Sequence, residues 1–480
     1  MASATTPVVA GVTDRLAAFV AAHAGRSVTA DRAAAATAAI IDSVGVIAAG
    51  AGSQPGRAAL RYARAVSPGR PAALRWWGGP AELPPAIAAT CIGTLGHALD
   101  FDDALPGAGH PSVLLLAALL ADRRAPVSGP ALLSAFVLGY EVNARLAKAV
   151  GHRHYLRGWH TTATIGSFGA TAAVCALRGL PEPAVRAALG IAGSLTGGLQ
   201  RNFGTATKPL HSGLAAGNGV LAASLAAGGM TAADAIFDGP RGYLDIYSCG
   251  EPRPEALDGL GDRWAITAPG PTLKKYPCAL ETYRSVEAAT AALAELGVPA
   301  AEVAAVECAV PPGTMGPLRY DRPVTEAQAK FSLPYTVAAA LLDGDLTLDS
   351  FTEAAIGRPG VRALMALVAV REDPACRPED PAGRDSSASS GGFVEVTVRS
   401  RDGRRASARV AELIGSPTRP LRWPEQRGKF TDCLRAGGRD PGLADQLLDR
   451  LRRLDQADDL DRLLSLLTPC VLTPSFEEAR

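Results

Sequence analysis

The 480-residue chain has few aromatic residues and no cysteines paired at a metal-binding spacing. Phe, Trp and Tyr make up 5% of the sequence, which predicts helices that pack closely through Ala and Gly rather than around bulky rings. Because no CxxC pair occurs, we expect reduced thiols and neither a disulfide framework nor a zinc site. The eight cysteines are Cys91, Cys175, Cys249, Cys278, Cys308, Cys376, Cys433 and Cys470.

The sequence also lacks a long block of like charge. Its 48 Lys and Arg face 47 Asp and Glu, for a net charge of +1, which argues against nucleic acid or an anionic membrane as the main partner. The N-terminus lacks the basic segment and cleavage pattern of a signal peptide. The most apolar early run, residues 33–51, is interrupted by Asp42 and makes a poor membrane span. We therefore expect a cytoplasmic protein with no nucleic-acid and no membrane partner.

Helical periodicity dominates the first part of the chain. From about residue 10 to residue 270, apolar or small residues recur at helical spacing and are punctuated by Gly, Pro, Ser or Thr. The character then changes: VAAVECAV at 303–310 resembles a strand, and the alternating runs around RDG at 401–403 predict a hairpin. Between them, residues 377–392 read as a mobile, solvated loop.

These patterns predict a mainly α fold with a discontinuous large domain. We expect a large all-helical domain over residues 1–268 and a smaller α/β lid domain inserted at 269–407. A helical tail over 408–480, where amphipathic spacing returns, would rejoin the helical domain.

The segment HALDFDDALPGAGHPS, residues 97–112, places three aspartates between two of the seven histidines. It lacks the ligand spacing of an EF-hand and the HxxxH or HExxH pair of a zinc site, so we expect no metal. As an acid/base site it is more persuasive, because a carboxylate can fix an imidazole's tautomer or raise its pKa and keep it protonated. Asp102 and Asp103 can instead cap a helix or shape the turn.

Basic and phenolic residues stand at five expected helix starts. Pro is favoured at the first helical position, and a cation is disfavoured there unless it shares an anion with the helix N–H groups. If these ends converge, they should bind carboxylates or phosphates; otherwise each residue simply occupies a loop. The five are His110 before Pro111, His160 before Thr161, Lys208 before Pro209, Lys274 and Lys275 before Pro277, and Tyr335 after Pro334.

The remaining histidines limit the choice of base. None lies beyond His211, so the α/β part supplies no imidazole. We read His23, His152 and His154 as surface or loop residues, and His211 as either a pocket residue or a satisfied helix residue.

At this point the chain is seen to resemble the MmgE/PrpD family, which includes 2-methylcitrate dehydratase, cis-aconitate decarboxylase and iminodisuccinate epimerase. The resemblance implies a helical domain with an inserted α/β lid, a homodimer, and a cofactor-free and metal-independent active site between the domains. It is carried in order by DSVGVIAAG, HALDFDDALPGAGHPS, GYEVNARL, RGWHTTATIGSFGATAA, TKPLHSGLAAGNGVLAA, KKYPCALETYRSVEAA and FSLPYTVAAALLDG.

Carried over by position, the family's site residues are Asp100, His110, His160, Lys208, Lys274 and Tyr335. We expect Lys208 and Lys274 to hold a substrate carboxylate and the developing negative charge. His110, oriented by Asp100, and His160 or Tyr335 would move protons as catalytic residues. We add His211 and Thr161 as substrate-binding residues.

Two departures put the usual substrate in doubt. Ala104 stands where the decarboxylase-like members have Thr, and Ala279 where they have His. We expect a lyase, a dehydratase or decarboxylase, acting on a small carboxylic acid through a carbanion or enolate-like species. The alternatives are an isomerase or epimerase that uses the same proton chemistry, and a non-catalytic ligand-binding protein.

Overall fold

A computed structural model describes residues 11–66, 83–122, 127–385 and 387–458. Within them the chain forms nineteen α-helices and one four-stranded sheet, which confirms the predicted mainly α class. The helices are α1 Val12–His23, α2 Ala30–Gly50, α3 Gln54–Ala65, α4 Pro85–His97, α5 Pro111–Ala121, α6 Gly129–Val150, α7 Arg153–Leu156, α8 Thr161–Thr164, α9 Gly166–Leu177, α10 Glu182–Gly193, α11 Thr207–Ala227, α12 Tyr243–Tyr247, α13 Tyr283–Leu296, α14 Glu326–Ala329, α15 Leu333–Asp343, α16 Glu353–Gly357, α17 Pro359–Met365, α18 Trp423–Ala436 and α19 Ala444–Leu451.

The sheet has the strand order β2-β1-β3-β4, with β1 Val303–Val310, β2 Val368–Glu372, β3 Val394–Ser400 and β4 Arg405–Val410. The predicted strand and hairpin are confirmed as β1 and as the antiparallel pair β3–β4. Strand β2 escaped prediction because it is a five-residue edge strand in which no residue is fully buried. It runs parallel to β1, which requires a crossover, and helices α14 to α17 provide it.

The buried apolar side chains divide into two main cores. One contains residues from 12 to 266 together with residues from 430 to 454, and the other contains residues from 273 to 421 plus Ala104 and Phe203. From α18, which packs on α2, to residue 454 the tail therefore belongs to the helical core, whereas residues 408–421 pack in the second core. The domain boundaries at 268 and 407 stay a prediction, and the tail beyond residue 458 lies outside the described residues.

Helices α4 and α11 approach closely through glycine. A Cβ at Gly213 would lie 2.1 Å from the Thr90 carbonyl oxygen, and one at Gly217 would lie 2.2 Å from Thr90 Oγ1. Only glycine permits this approach. The pairing is antiparallel, so the end of α4, with His97, lies beside the start of α11, with Lys208.

Helix α2 is the one described helix long and apolar enough to cross a membrane by length and composition, but 78% of its apolar window is buried inside the protein. This is the behaviour of a core helix. The seven cysteines in the described ranges are free thiols, and all except Cys249 are buried; Cys470 lies outside those ranges.

Candidate functional site

A pocket of about 80 Å³ lies between the two cores. This is several times the roughly 10–15 Å³ that one water molecule requires, so the pocket has room for a small organic molecule. Six of the eight predicted site residues line it: Asp100, His110, His160, Thr161, Lys208 and Lys274.

Helix starts position three of these side chains, as predicted. His110 is the residue before α5, whose first turn is capped by Asp103: the carboxylate accepts from Ser112 N at 3.1 Å and from Ser112 Oγ at 2.6 Å. His160 immediately precedes α8, and Lys208 lies in the first turn of α11. The capping role expected for Asp102 or Asp103 thus falls to Asp103.

Lys274 does not stand at a helix start, which corrects that prediction. The chain stays irregular through Pro277, and α13 begins only at Tyr283. Lys274 is held instead by tertiary contacts, because Lys429 Nζ, ion-paired with Asp42 at 2.6 Å, donates to the Lys274 carbonyl at 2.8 Å. A second Lys429 bond, 2.7 Å long, reaches the Phe101 carbonyl. The tail helix α18 thereby ties together the two chain segments that carry Asp100 and Lys274.

Asp100, Lys208 and Lys274 form what we call the charged cluster. Lys208 Nζ donates to Asp100 Oδ1, and Lys274 Nζ lies 3.0 Å from Asp100 Oδ2. Lys274 Nζ also donates to the Asp100 carbonyl at 2.9 Å. Asp100 has a φ of 52°, a strained left-handed conformation for a non-glycine residue. All three side chains are at least 95% buried.

The electrostatics of this cluster favour the ionised form of Asp100. Burial by itself would raise the pKa of Asp100, but Lys208 and Lys274 outweigh it and hold that pKa well below its usual range. Burial lowers the pKa of Lys208, while Asp100 opposes the shift. Two ammonium groups share one carboxylate, so the cluster carries one net positive charge toward the pocket.

His97, Asp102, His110, His160 and His211 form the imidazole cluster. The Asp102 carboxylate, fully buried, accepts from His97 Nδ1 at 2.8 Å and lies 3.4 Å from His110 Nδ1. His110 Nδ1 donates to the Asp103 carbonyl at 2.7 Å. A carbonyl can only accept, so Nδ1 of His110 carries the proton and the neutral ring keeps its lone pair on Nε2.

One prediction about His110, its orientation by Asp100, is therefore wrong; of the two effects expected from a nearby carboxylate, the structure shows the fixed tautomer and not the raised pKa. Its ring is oriented by Asp102 and the Asp103 carbonyl, whereas Asp100 is engaged with the lysines. Its pKa is lowered, because burial outweighs the attraction of Asp102. Burial also lowers the pKa of His97 to about 3, against the same attraction. Both rings are neutral near pH 7.

His160 and His211 connect the pocket to a second depression. Their Nδ1 atoms lie 2.9 Å apart, so one ring donates to the other. Burial, reinforced by Lys208, holds the pKa of His160 well below its usual range and that of His211 at about 4. His211 does not line the main pocket but lines the depression behind it. The prediction that His211 contacts substrate in the main pocket is therefore not supported by its position.

Tyr335 is not brought to the pocket. Its position in the first turn of α15 agrees with the sequence, but its side chain is buried in the second core and its hydroxyl donates to the Ser350 carbonyl. Because its side chain packs in the second core and not at the pocket, Tyr335 is no longer a candidate catalytic residue.

Among the described residues, one group resembles a metal-ligand set: His97, Asp102 and His110, whose candidate ligand atoms lie within 4.8 Å of one another. The Nδ1 atoms of both rings are already hydrogen-bonded to protein oxygens. Hydrogen bonding among these groups therefore accounts for their arrangement, and the positive charge at the pocket comes from lysines.

Both departures from the family pattern face the pocket, since Ala104 and Ala279 line it. Ala104 also pairs through its backbone with Thr272, with bonds of 2.9 and 2.8 Å that join the two halves of the site. The positions where a hydroxyl and an imidazole are missing are thus pocket positions.

Several pocket residues were missed by the sequence analysis. His152 lies in a turn, as expected for a loop residue, but it lines the pocket. His154 is wrong as a surface or loop residue, because it lies in α7 and is fully buried with Nε2 2.7 Å from Thr164 Oγ1. No spacing rule would have found these positions; the only signal was HRHY, one residue before the RGWH motif. The other missed lining residues with polar side chains are Tyr155, Glu281, Ser387 and Ser389.

Comparison with known proteins agrees with this geometry. Residues 14–255 match the MmgE/PrpD N-terminal domain, and residues 276–450 match the MmgE/PrpD C-terminal domain. The cis-aconitate decarboxylase of Mus musculus is 30% identical over 92% of this chain and 89% of its own length. That of Homo sapiens is 30% identical over 74% of each chain, and that of Aspergillus terreus 25% identical over 76% of each.

These relatives support lyase chemistry for this chain. Two adjoining domain matches and a relative aligned over nine-tenths of the sequence leave one assignment: the chain belongs to the MmgE/PrpD family.

Proposed function

We propose that the protein is a lyase that decarboxylates a small polycarboxylic acid through a carbanion-like intermediate without a metal ion. The observation that carries the proposal is the charged cluster, where Lys208 and Lys274 share the single carboxylate of Asp100 beside two neutral imidazoles. The decarboxylase relatives favour loss of carbon dioxide over loss of water.

The charged cluster supplies electrostatic stabilisation. Its net positive charge binds a substrate carboxylate and stabilises the negative charge that develops next to it. Such fixed charges act strongly in a site that excludes water, and removing one donor from a comparable site costs about 100- to 1,000-fold in rate. As the bond to the departing carboxylate breaks, carbon dioxide leaves and the electron pair stays on carbon, delocalised toward the held carboxylate.

The pair His160–His211 returns the proton. Nε2–H of His160 protonates the carbanion while Nδ1–H of His211 passes to Nδ1 of His160 across 2.9 Å, so the first ring stays neutral. In the same step water in the depression that His211 lines gives a proton to Nε2 of His211, so this ring also stays neutral and the resulting hydroxide is neutralised by the buffer. After product release the shift runs in reverse, with water in the pocket protonating Nε2 of His160, and restores the starting tautomers. Because burial keeps both pKa values low, the rings act as neutral donors and acceptors.

His110 has a different task. With its proton held at Nδ1 by the Asp103 carbonyl, it presents a lone pair and can accept a hydrogen bond from a substrate hydroxyl or carboxyl. The same lone pair would remove a proton from substrate in a dehydratase or an epimerase. The site therefore keeps the isomerase alternative chemically open.

Turnover of defined acids tests the proposal. Purified protein is incubated with cis-aconitate and with a panel of di- and tricarboxylates in deuterated buffer, and carbon dioxide and products are followed by mass spectrometry and NMR. We expect stoichiometric carbon dioxide and one deuterium per product, unchanged by EDTA. Loss of activity in EDTA, restored by a divalent ion, would contradict the metal-independent mechanism.

The same panel separates the alternatives. Release of water without carbon dioxide indicates a dehydratase, and deuterium in recovered substrate or its stereoisomer indicates an isomerase. Thermal stabilisation by an acid that is never consumed indicates a binding protein. Light scattering on the same sample tests the homodimer that we propose from the family resemblance.

A further inference from the structure

The pocket has a second polar wall that the proposed chemistry does not use. His152 comes from the helical domain, and Ser387 and Ser389 come from the segment 377–392 between β2 and β3. None of these side chains belongs to the charged cluster or to the imidazole cluster.

The segment 377–392 is solvated only in part: most of residues 378–385 are exposed as predicted, whereas residues 387–390 are buried or half-buried, which corrects the prediction there. Arg377, whose side chain is 1% exposed, donates to the Ser387 carbonyl at 3.0 Å and to the Ser390 carbonyl at 2.9 Å. Arg284 donates to the Ala388 carbonyl at 2.6 Å. Two buried guanidinium groups thus bind consecutive carbonyls and fix the backbone that carries Ser387 and Ser389.

The two serine hydroxyls are presented as a pair. Ser387 Oγ lies 2.9 Å from Ser389 Oγ, and the backbone N–H of Ser389 lies 3.4 Å from Ser387 Oγ. In a hydroxyl pair one group donates to the other, and the second proton is free to donate elsewhere. Since both residues line the pocket, that donor is available to a ligand.

His152 adds an unsatisfied group to the same wall. Its Nδ1 is buried and, among the described residues, has no hydrogen-bond partner. A buried polar atom without a partner is costly unless a ligand or water satisfies it. Burial and then the charge of Arg377 lower the pKa of His152 to about 4, so the ring is a neutral donor and acceptor near the positive guanidinium.

We propose that Ser387, Ser389 and His152 form a subsite that binds a second carboxylate of the substrate, remote from the one held by the charged cluster. The support is a hydroxyl donor pair and an unpartnered imidazole nitrogen on one wall; the charge of Arg377 behind them is offset by Glu379 and Asp380, each 3.9 Å from its guanidinium. Glu281 also lines the pocket, and burial raises its pKa, which weakens its repulsion of an anion. The subsite rests on the proposed function, because it presupposes that an acid fills the pocket.

Binding of unreactive acids tests the subsite without turnover. Calorimetry compares tricarballylate, with three carboxylates, and propionate, with one, on the wild type, the double variant Ser387→Ala/Ser389→Ala, and His152→Ala. Ser407→Ala is the matched control, since Ser407 is exposed and pairs with Thr397 on the β3–β4 hairpin. We expect tricarballylate affinity to fall about tenfold or more in the first two variants, as befits lost hydrogen bonds to a charged group, with propionate affinity unchanged.

The outcomes separate the two proposals. Equal weakening of both acids, or of neither, overturns the subsite and leaves the charged cluster standing. A wild-type protein that binds neither acid overturns the subsite together with the proposed function. Because the serine variants remove only one oxygen each, melting temperatures within a few degrees of wild type are expected, and His152→Ala repeats the test on another element.

Discussion

The charged cluster and the imidazole cluster both surround a buried aspartate, yet they are built from different parts of the molecule. Asp100 is shared by Lys208 from the helical domain and Lys274 from the segment leading into the lid. Asp102 is surrounded by His97 and His110, which belong to the helical domain alone. In the proposed mechanism the substrate's charge is therefore held where the two cores meet, whereas the groups that move protons lie within one core.

The two aspartates also keep their charge by different means. Burial opposes ionisation at both, and the pKa of each is nevertheless well below its usual range. At Asp100 the opposing groups are the ammonium groups of two lysines, whereas at Asp102 they are the hydrogen bonds of two imidazoles that are neutral near pH 7. A permanent ion pair suits binding of an anion, and a polarised neutral ring suits proton transfer.

The largest effect should come from removing a cation of the charged cluster. Lys208→Met keeps the length of the side chain but leaves Asp100 facing the pocket with one lysine instead of two. We expect kcat to fall at least about 100-fold, measured on the best substrate of the panel. The matched control is Lys330→Met, another buried lysine, paired with Glu326 at 3.1 Å and outside the pocket lining. Equal losses in both folded variants would contradict a special role for Lys208.

An intermediate effect should follow from removing the negative charge of Asp102 from the imidazole cluster. Asp102→Asn removes the negative charge that orients His97 and His110, and loss of such an orienting partner typically costs about 10- to 100-fold. Since Asp102 raises the pKa of His110 against burial, its removal should also move the acid limb of the pH–rate profile to lower pH. An unshifted limb, or a shift to higher pH, would show that Asp102 does not tune this ring.

The helix starts of the site could be predicted because their signals are local. Pro111 and Pro209 favour a helix start whatever the rest of the fold. The predicted starts place His110 just before α5 and Lys208 in the first turn of α11. The direction of the Tyr335 side chain could not be predicted, because packing of α15 in the second core decides it.

The hydrogen-bond and ion-pair partners of the three aspartates in DFDD could not be predicted from the sequence either. Asp100, Asp102 and Asp103 lie within four residues, yet the positive φ of Asp100 turns the chain so that each carboxylate meets different groups. Likewise, composition predicts a solvated segment at 377–392, and the bonds from Arg377 and from Arg284, about a hundred positions earlier, to its carbonyl groups explain why residues 387–390 are held in place. Both failures arise from contacts distant in sequence.

The smallest effect on activity should come from replacing Asp103, which belongs to neither the charged cluster nor the imidazole cluster. Burial raises the pKa of Asp103 to about 8, so at pH 7 it is mostly a neutral carboxyl that caps α5. Asp103→Asn retains one acceptor oxygen and one donor, together with the backbone carbonyl that holds His110. We therefore expect kcat within a few-fold of wild type.

The pH dependence of the melting temperature should reveal how burial of Asp103 affects the stability of the protein. In the unfolded chain an aspartate ionises near about pH 4, whereas folded Asp103 ionises near 8, so the folded state binds the extra proton between these values. Its contribution is fully present below the unfolded pKa and is lost as pH rises through the folded pKa, by up to about 1.4 kcal/mol per pH unit. Asp103→Asn lacks this dependence, so its melting temperature should fall less than that of wild type between pH 5 and pH 8. Parallel melting curves for the two proteins would mean that Asp103 is ionised in the folded state and that burial does not govern its charge.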